Sequence, residues 1–100
     1  MDWQVIWTEP ALAAFEGVIH YIAERNPTAA EAMRRSILDH VESLARFPFI
    51  GPKYERDRTG RSREIVCGPY RIFYRLDESS KKIEILTVWH GSRREPDLPE

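Results

Sequence analysis

Apolar positions along the chain switch between two spacings. Trp3, Val5 and Trp7 alternate with Gln4, Ile6 and Thr8, a period of two that predicts a strand with one apolar face. Thr8 can then cap a helix, with Glu9 and Pro10 in its first turn, where an anion and a preset φ are favourable. Leu12, Phe15, Ile19 and Ile22 recur in steps of three and four, with Val18 beside them, and predict a first helix ending before Asn26-Pro27. A second helix starts with Asn26 as cap and Pro27 at its first position, or one turn later through Thr28 and Glu31 as a capping box. Its stripe is Ala30, Met33, Ile37, Val41 and Leu44, and Phe47-Pro48 ends it. So short a link makes the two helices antiparallel.

Residues 49–60 carry Gly51, Pro52, alternating charges and Thr59-Gly60, which predict a surface loop. The period of two then returns. Residues 62–67 form one strand, Gly68-Pro69 a turn, and residues 70–76 and 83–90 a hairpin across the polar stretch 77–82. Pairing Leu76 with Ile83 sets Tyr74 against Ile85, Ile72 against Thr87 and Tyr70 against Trp89, on one apolar face. Arg71, Phe73 and Arg75 lie on the other, opposite Val88, Leu86 and Glu84, with His90 beyond; Arg71 and His90 then share an exposed face. The order β-α-α-β-β-β defines an α+β fold, a helical hairpin packed on one face of a small antiparallel sheet. One domain over residues 1–100 is expected, with about 93–100 a frayed tail.

Composition narrows the field. No apolar run approaches the roughly 20 residues a membrane helix needs, and the start of the chain shows Asp2 and no cationic apolar leader. Cys67 is the one cysteine, so no internal disulfide is possible and a reducing cytoplasm is the expected location. The formal net charge of −1 hides an asymmetry: between Lys53 and Arg75 seven basic residues face three acidic ones. Lys53, Arg56, Arg58, Arg61 and Arg63, with Arg93 after the last strand, are therefore candidates for contact with nucleic acid or an acidic protein surface. His20 and His40 lack metal-ligand spacing, and no phosphate loop or nucleotide fingerprint is present, so no metal and no cofactor is expected.

The order of elements, with the stretches YIAERNPTAA, LARFPFIG, REIVCGPYRIFYRL and IEILTVWHGSRR, resembles the RelE/ParE superfamily of bacterial toxins, over about residues 3–94. The resemblance implies the toxic half of a type II toxin–antitoxin pair, neutralised in a hetero-oligomer by a cognate antitoxin. It leaves two targets. The ParE branch poisons DNA gyrase without an active site of its own, and Tyr21, Ile22, Ala23, Asn26, Pro27, Phe47, Pro48 and Gly51 are similar to its helical hairpin. The alternative is mRNA cleavage on the ribosome in the manner of RelE and YoeB. There Arg71 matches the strand arginine that would hold the phosphate, and His90 the last-strand histidine that would exchange a proton. Gly91 stands where such nucleases often carry tyrosine, and the overall charge is slightly acidic. The resemblance therefore points first to gyrase inhibition.

Overall fold

The computed structural model describes residues 2–98. Its elements follow the expected order: β1 (Gln4–Trp7), α1 (Glu9–Ala23), α2 (Pro27–Ser43), β2 (Ser62–Cys67), β3 (Tyr70–Asp77) and β4 (Lys82–His90). Thr8 caps α1, its Oγ1 accepting from the Ala11 amide at 3.3 Å and donating to the Ile85 carbonyl at 2.7 Å. One side chain thus both starts the helix and ties it to the sheet. Asn26 caps α2 by accepting from the Ala29 amide at 3.0 Å, with Pro27 directly inside the helix; the alternative start at Thr28 is not used.

The α2 stripe faces the sheet as its spacing predicts, with Ala30, Ile37, Val41 and Leu44 buried and Met33 packed against them. In α1 the contact face is rotated. Ala11, Ala14, Phe15, Val18 and Ile22 meet the core, whereas Leu12 is 42% exposed. Alanine at positions 11 and 14 lets the helix approach closely, and this small-residue face displaces the leucine.

The strand order is β1-β4-β3-β2. The hairpins β2–β3 and β3–β4 are antiparallel, but β1 runs parallel to β4, pairing Val5 with Ile83 and Trp7 with Ile85. The sheet is therefore mixed, because the helical hairpin returns the chain to the side on which β1 began. Gly68, at φ +58°, supplies the left-handed backbone of the tight β2–β3 turn before Pro69.

The β3–β4 register departs from the simple alternation at one point. Leu76↔Ile83, Arg75↔Glu84 and Tyr74↔Ile85 pair as expected, then a bulge intervenes and Phe73 pairs with Thr87, Ile72 with Val88, Arg71 with Trp89 and Tyr70 with His90. Leu86 is the extra residue. Every side chain after it changes face. Val88 thereby joins Ile72, Ile83 and Ile85 under the helices, while Leu86 and Trp89 join Phe73 and Tyr54 on the far side.

That far side is covered by the chain's own end. The Trp89 Nε1 donates to the Arg94 carbonyl at 2.8 Å, Pro96 is buried, and Leu98 packs on the cluster of Tyr54, Phe73 and Leu86. The expected frayed tail is thus, as far as Leu98, a strap held by apolar contact and ion pairing; Pro99 and Glu100 lie outside the described residues.

Candidate functional site

Arg71 projects from β3 on the helix-free face, diagonal to Glu64 on β2 and beneath the strap. Its Nε donates to Glu64 Oε1 at 2.9 Å and its Nη2 to Glu64 Oε2 at 3.1 Å, a bidentate fork. Nη1 donates to Glu95 Oε2 at 2.6 Å, and Nη2 reaches Glu95 Oε1 at 3.5 Å. The guanidinium lies 4.8 Å above the Phe73 ring and 5.8 Å from that of Tyr54. Donating to the Glu64 and Glu95 carboxylates holds the arginine even more firmly protonated than usual, and the bond accepted from Arg71 lowers the Glu95 carboxyl below its ordinary range.

His90 belongs to the other face. Its ring meets Tyr70 edge-on at 5.3 Å, on the side covered by α1. Its Nδ1 accepts from the Ser92 amide at 3.1 Å and contacts the Ser92 hydroxyl at 2.7 Å. The amide fixes Nδ1 as acceptor, leaving the proton of the neutral ring on Nε2. The expectation that Arg71 and His90 share a face is therefore corrected, and the cause is the Leu86 bulge. Both residues border a shallow hollow at the end of the sheet around Pro69 and Gly91, but from opposite faces.

The basic residues divide. Arg56 and Arg58 border a groove of about 390 Å³ between the 54–59 loop and the strap. Asp57 shapes this loop by accepting from the Thr59 amide at 2.9 Å, the Thr59 hydroxyl at 2.6 Å and the Ser62 amide at 2.9 Å. Burial pushes the Asp57 carboxyl up, but the bonds from Ser62 and Thr59 outweigh it and hold it well below the usual range. Lys53 bridges to Arg63 across the edge of β2. Arg63 turns inward, donating to the Gly51 carbonyl at 2.6 Å over the Phe49 ring. Arg61 is exposed where the loop enters β2, and Arg93 stacks 4.4 Å from the Trp89 ring. The six do not form one patch. Their ends lie along the 53–63 loop, with Arg93 apart at the end of β4.

Three residues the sequence reading did not select, Tyr54, Glu64 and Glu95, complete the Arg71 cluster. Glu64 carried a signal, since strand alternation places it on the Arg71 face of β2. Glu95 carried none, because it is brought there by an irregular segment. Among the described residues no three His, Cys, Asp or Glu side chains gather as a metal site, and no helix is long and apolar enough to cross a membrane.

A helical hairpin on one face of a four-stranded mixed sheet, with an arginine locked between carboxylates on the other, defines a small α+β protein of one compact class. The family model described as "ParE toxin of type II toxin-antitoxin system, parDE" matches residues 5–95. The chain belongs to this family, within the RelE/ParE superfamily of type II toxins. It is 33% identical over 91 residues to Toxin RelE2 of Caulobacter vibrioides, covering 90% of this chain and 97% of that one. Its fold matches the chromosomal ParDE system of P. aeruginosa (TM-score 0.71, 21% identity, 88% of this chain and 95% of that). It also matches the RelBE2 toxin–antitoxin complex of Mycobacterium tuberculosis (TM-score 0.65, 22% identity, 90% and 99%).

Proposed function

We propose that this toxin arrests growth by ParE-type inhibition of DNA gyrase, through surface contact, and that a cognate antitoxin neutralises it. One observation carries the choice over mRNA cleavage: Arg71 and His90 stand on opposite faces of the sheet. Cleavage by 2′-hydroxyl attack needs a cation on the phosphate and an acid at the leaving oxygen, within reach of one phosphorus. Here the cation is engaged by two carboxylates, and the imidazole, although it borders the same hollow at the end of the sheet, turns to the face covered by α1 and packs on Tyr70.

The antitoxin reading rests on the family and on unpartnered surface. Residues 52–54 already pair with Ser62 to Glu64 on the outer edge of β2, and the rest of that edge is flanked by the exposed apolar side chains Phe49, Ile50 and Val66, the last 65% exposed. An extended or helical segment that pairs with this edge would cover them.

Expression without antitoxin tests the proposal. Growth arrest with filamentation and SOS induction, and loss of DNA supercoiling by purified gyrase, is the expected result. His90→Ala should keep full toxicity. Ribosome-dependent mRNA cuts that vanish in His90→Ala would overturn the gyrase reading in favour of cleavage.

A further inference from the structure

Gly17 stands in the middle of α1, where glycine is less favourable than alanine. A Cβ there would meet nothing within 4 Å, and the backbone is ordinary right-handed helix, so neither a close neighbour nor a special φ requires the glycine. What the missing side chain leaves open is a hollow of about 600 Å³ between the second half of α1 and the end of β4. Its apolar wall includes Val18 and Val88.

Polar groups that the fold leaves without acceptors converge on this hollow. Tyr70 is only 6% exposed, yet its hydroxyl makes no hydrogen bond among the described residues and opens beside the hydroxyl of Tyr21. Burial raises the Tyr70 phenol and the neighbouring Tyr21 adds to the effect, so the group stays a donor at neutral pH. A nine-tenths buried donor with nothing to bond is costly, and an acceptor placed in the hollow relieves it. His90 borders the same space, carrying the N–H that its bonds with Ser92 leave on Nε2. Arg93 is held 4.4 Å from the Trp89 ring and has no carboxylate partner among the described residues. No Asp or Glu borders the hollow among those residues. Arg71, by contrast, is neutralised by two.

We propose that this hollow binds a small organic anion, with an oxyanion head on Tyr70, Tyr21 and Arg93 and a compact apolar body beside Gly17, against Val18 and Val88. Donors, one fixed cation and the lack of any acidic wall select the head. The open space at Gly17 admits the body. Such a ligand bridges α1 to the end of β4 and stabilises the folded chain by mass action. The site is separate from the Arg71 cluster and the β2 edge, and it does not depend on which target the toxin attacks.

The test titrates the full-length chain with cinnamate, its neutral analogue cinnamamide, phenyl phosphate and inorganic phosphate, read from amide and indole N–H resonances. Cinnamate or phenyl phosphate should saturate with a Kd no weaker than about 1 mM and shift the Gly17 amide and the Trp89 indole. Cinnamamide and inorganic phosphate should bind at least about tenfold more weakly, because each lacks one of the two elements. The tighter of the two organic anions assigns the head as carboxylate or phosphate. Gly17→Leu fills the hollow from a position where the helix favours leucine, so binding should vanish with no fall in Tm. Tyr70→Phe removes a hydroxyl that bonds nothing in the fold; Tm should hold while the anion weakens about tenfold. Arg93→Gln should weaken the anions and leave cinnamamide unchanged. No saturable shift with either organic anion, equal affinity for cinnamate and cinnamamide, or wild-type affinity in Gly17→Leu overturns the proposal. A short single-stranded oligoribonucleotide that binds more tightly than either anion, and loses that affinity in Gly17→Leu, also overturns it by assigning the hollow to nucleic acid.

Discussion

At the scale of single residues, Tyr74 connects the loop to the core. Its side chain is fully buried, its Oη donates to the Pro48 carbonyl and accepts from the Gly51 amide, both at 2.9 Å. Residues that leave α2 and turn toward β2 are therefore tied to the core by this phenol, beside the Arg63 bonds to the Phe49 and Gly51 carbonyls. Gly51 is needed for the same reason: a Cβ there would sit 2.5 Å from the Glu64 carbonyl oxygen and 2.7 Å from Tyr74 Oη. Tyr74→Phe keeps the ring but leaves a buried N–H and a buried C=O unpaired. That should cost about 1–3 kcal/mol, a fall in Tm of roughly 4–8 °C per kcal/mol for a domain of this size. Thermal unfolding of the variant decides this; an unchanged Tm would show that water or another donor serves those groups. Gly51→Ala should destabilise through the clash with backbone, and Tyr74→Phe should not rescue it, because the Glu64 oxygen remains.

At the scale of elements, the Leu86 bulge decides which residues meet. With two residues of β4 opposite one of β3, residues 86 and 87 both turn toward the strap, and the alternation restarts at Val88. Deleting Leu86 should remove the bulge and leave every later residue on its present face. The Ile72–Val88 and Tyr70–His90 contacts should therefore survive deletion, observed as cross-strand nuclear Overhauser effects. The loss of Leu86 from its cluster should still lower stability by about 2–5 kcal/mol. Contacts that move to Ile72–Trp89 in the shortened chain would contradict the bulge. This element also marks the limit of what could be read without coordinates. The α2 stripe and the Thr8 cap were legible, and the Asn26 cap was one of two starts the residues allowed, because the 3.6-residue period and a capping residue before a Pro-containing first turn are local signals. The hairpin next to its loop was legible for the same reason. The bulge was not, since Ile83, Ile85, Thr87 and Trp89 alternate without a break, and only the packing of Val88 under α1 and α2 against that of Trp89 on the far face selects the shift. The parallel β1–β4 pair and the strap rest on long-range packing, which a single sequence does not display. The functional consequence was correspondingly large: one inserted residue separates Arg71 from His90.

At the scale of the whole molecule, the helix-free face is held by carboxylates that have to be ionised. Glu95 closes the strap onto Arg71, and Asp57 ties the neighbouring loop to Ser62 and Thr59. Both are lowered in the folded protein relative to their ordinary values, Glu95 chiefly by Arg71 and Asp57 by its hydrogen bonds against the opposing effect of burial. A folded pKa below the unfolded one means that the unfolded chain binds protons first as acid is added. Their contribution is therefore complete above the unfolded values near 4 and is lost as pH falls toward the folded ones. Between pH 7 and about 5 these two groups should leave Tm unchanged, and below about pH 4 it should decline. Glu95→Gln should flatten part of that decline, and Asp57→Asn a separate part, since the two carboxylates bond different partners. The strap should respond first where it is read directly: Trp89 fluorescence should change as acid releases Arg94 and Glu95, and the change should be absent in Glu95→Gln. A steep loss of stability between pH 7 and 5, or an acid transition identical in both variants and the wild type, would place the sensitive groups elsewhere in the protein. High salt should weaken the acid effect at the half-exposed Glu95 more than at Asp57, because the former is held by a charged guanidinium in direct contact and the latter by neutral amide and hydroxyl donors.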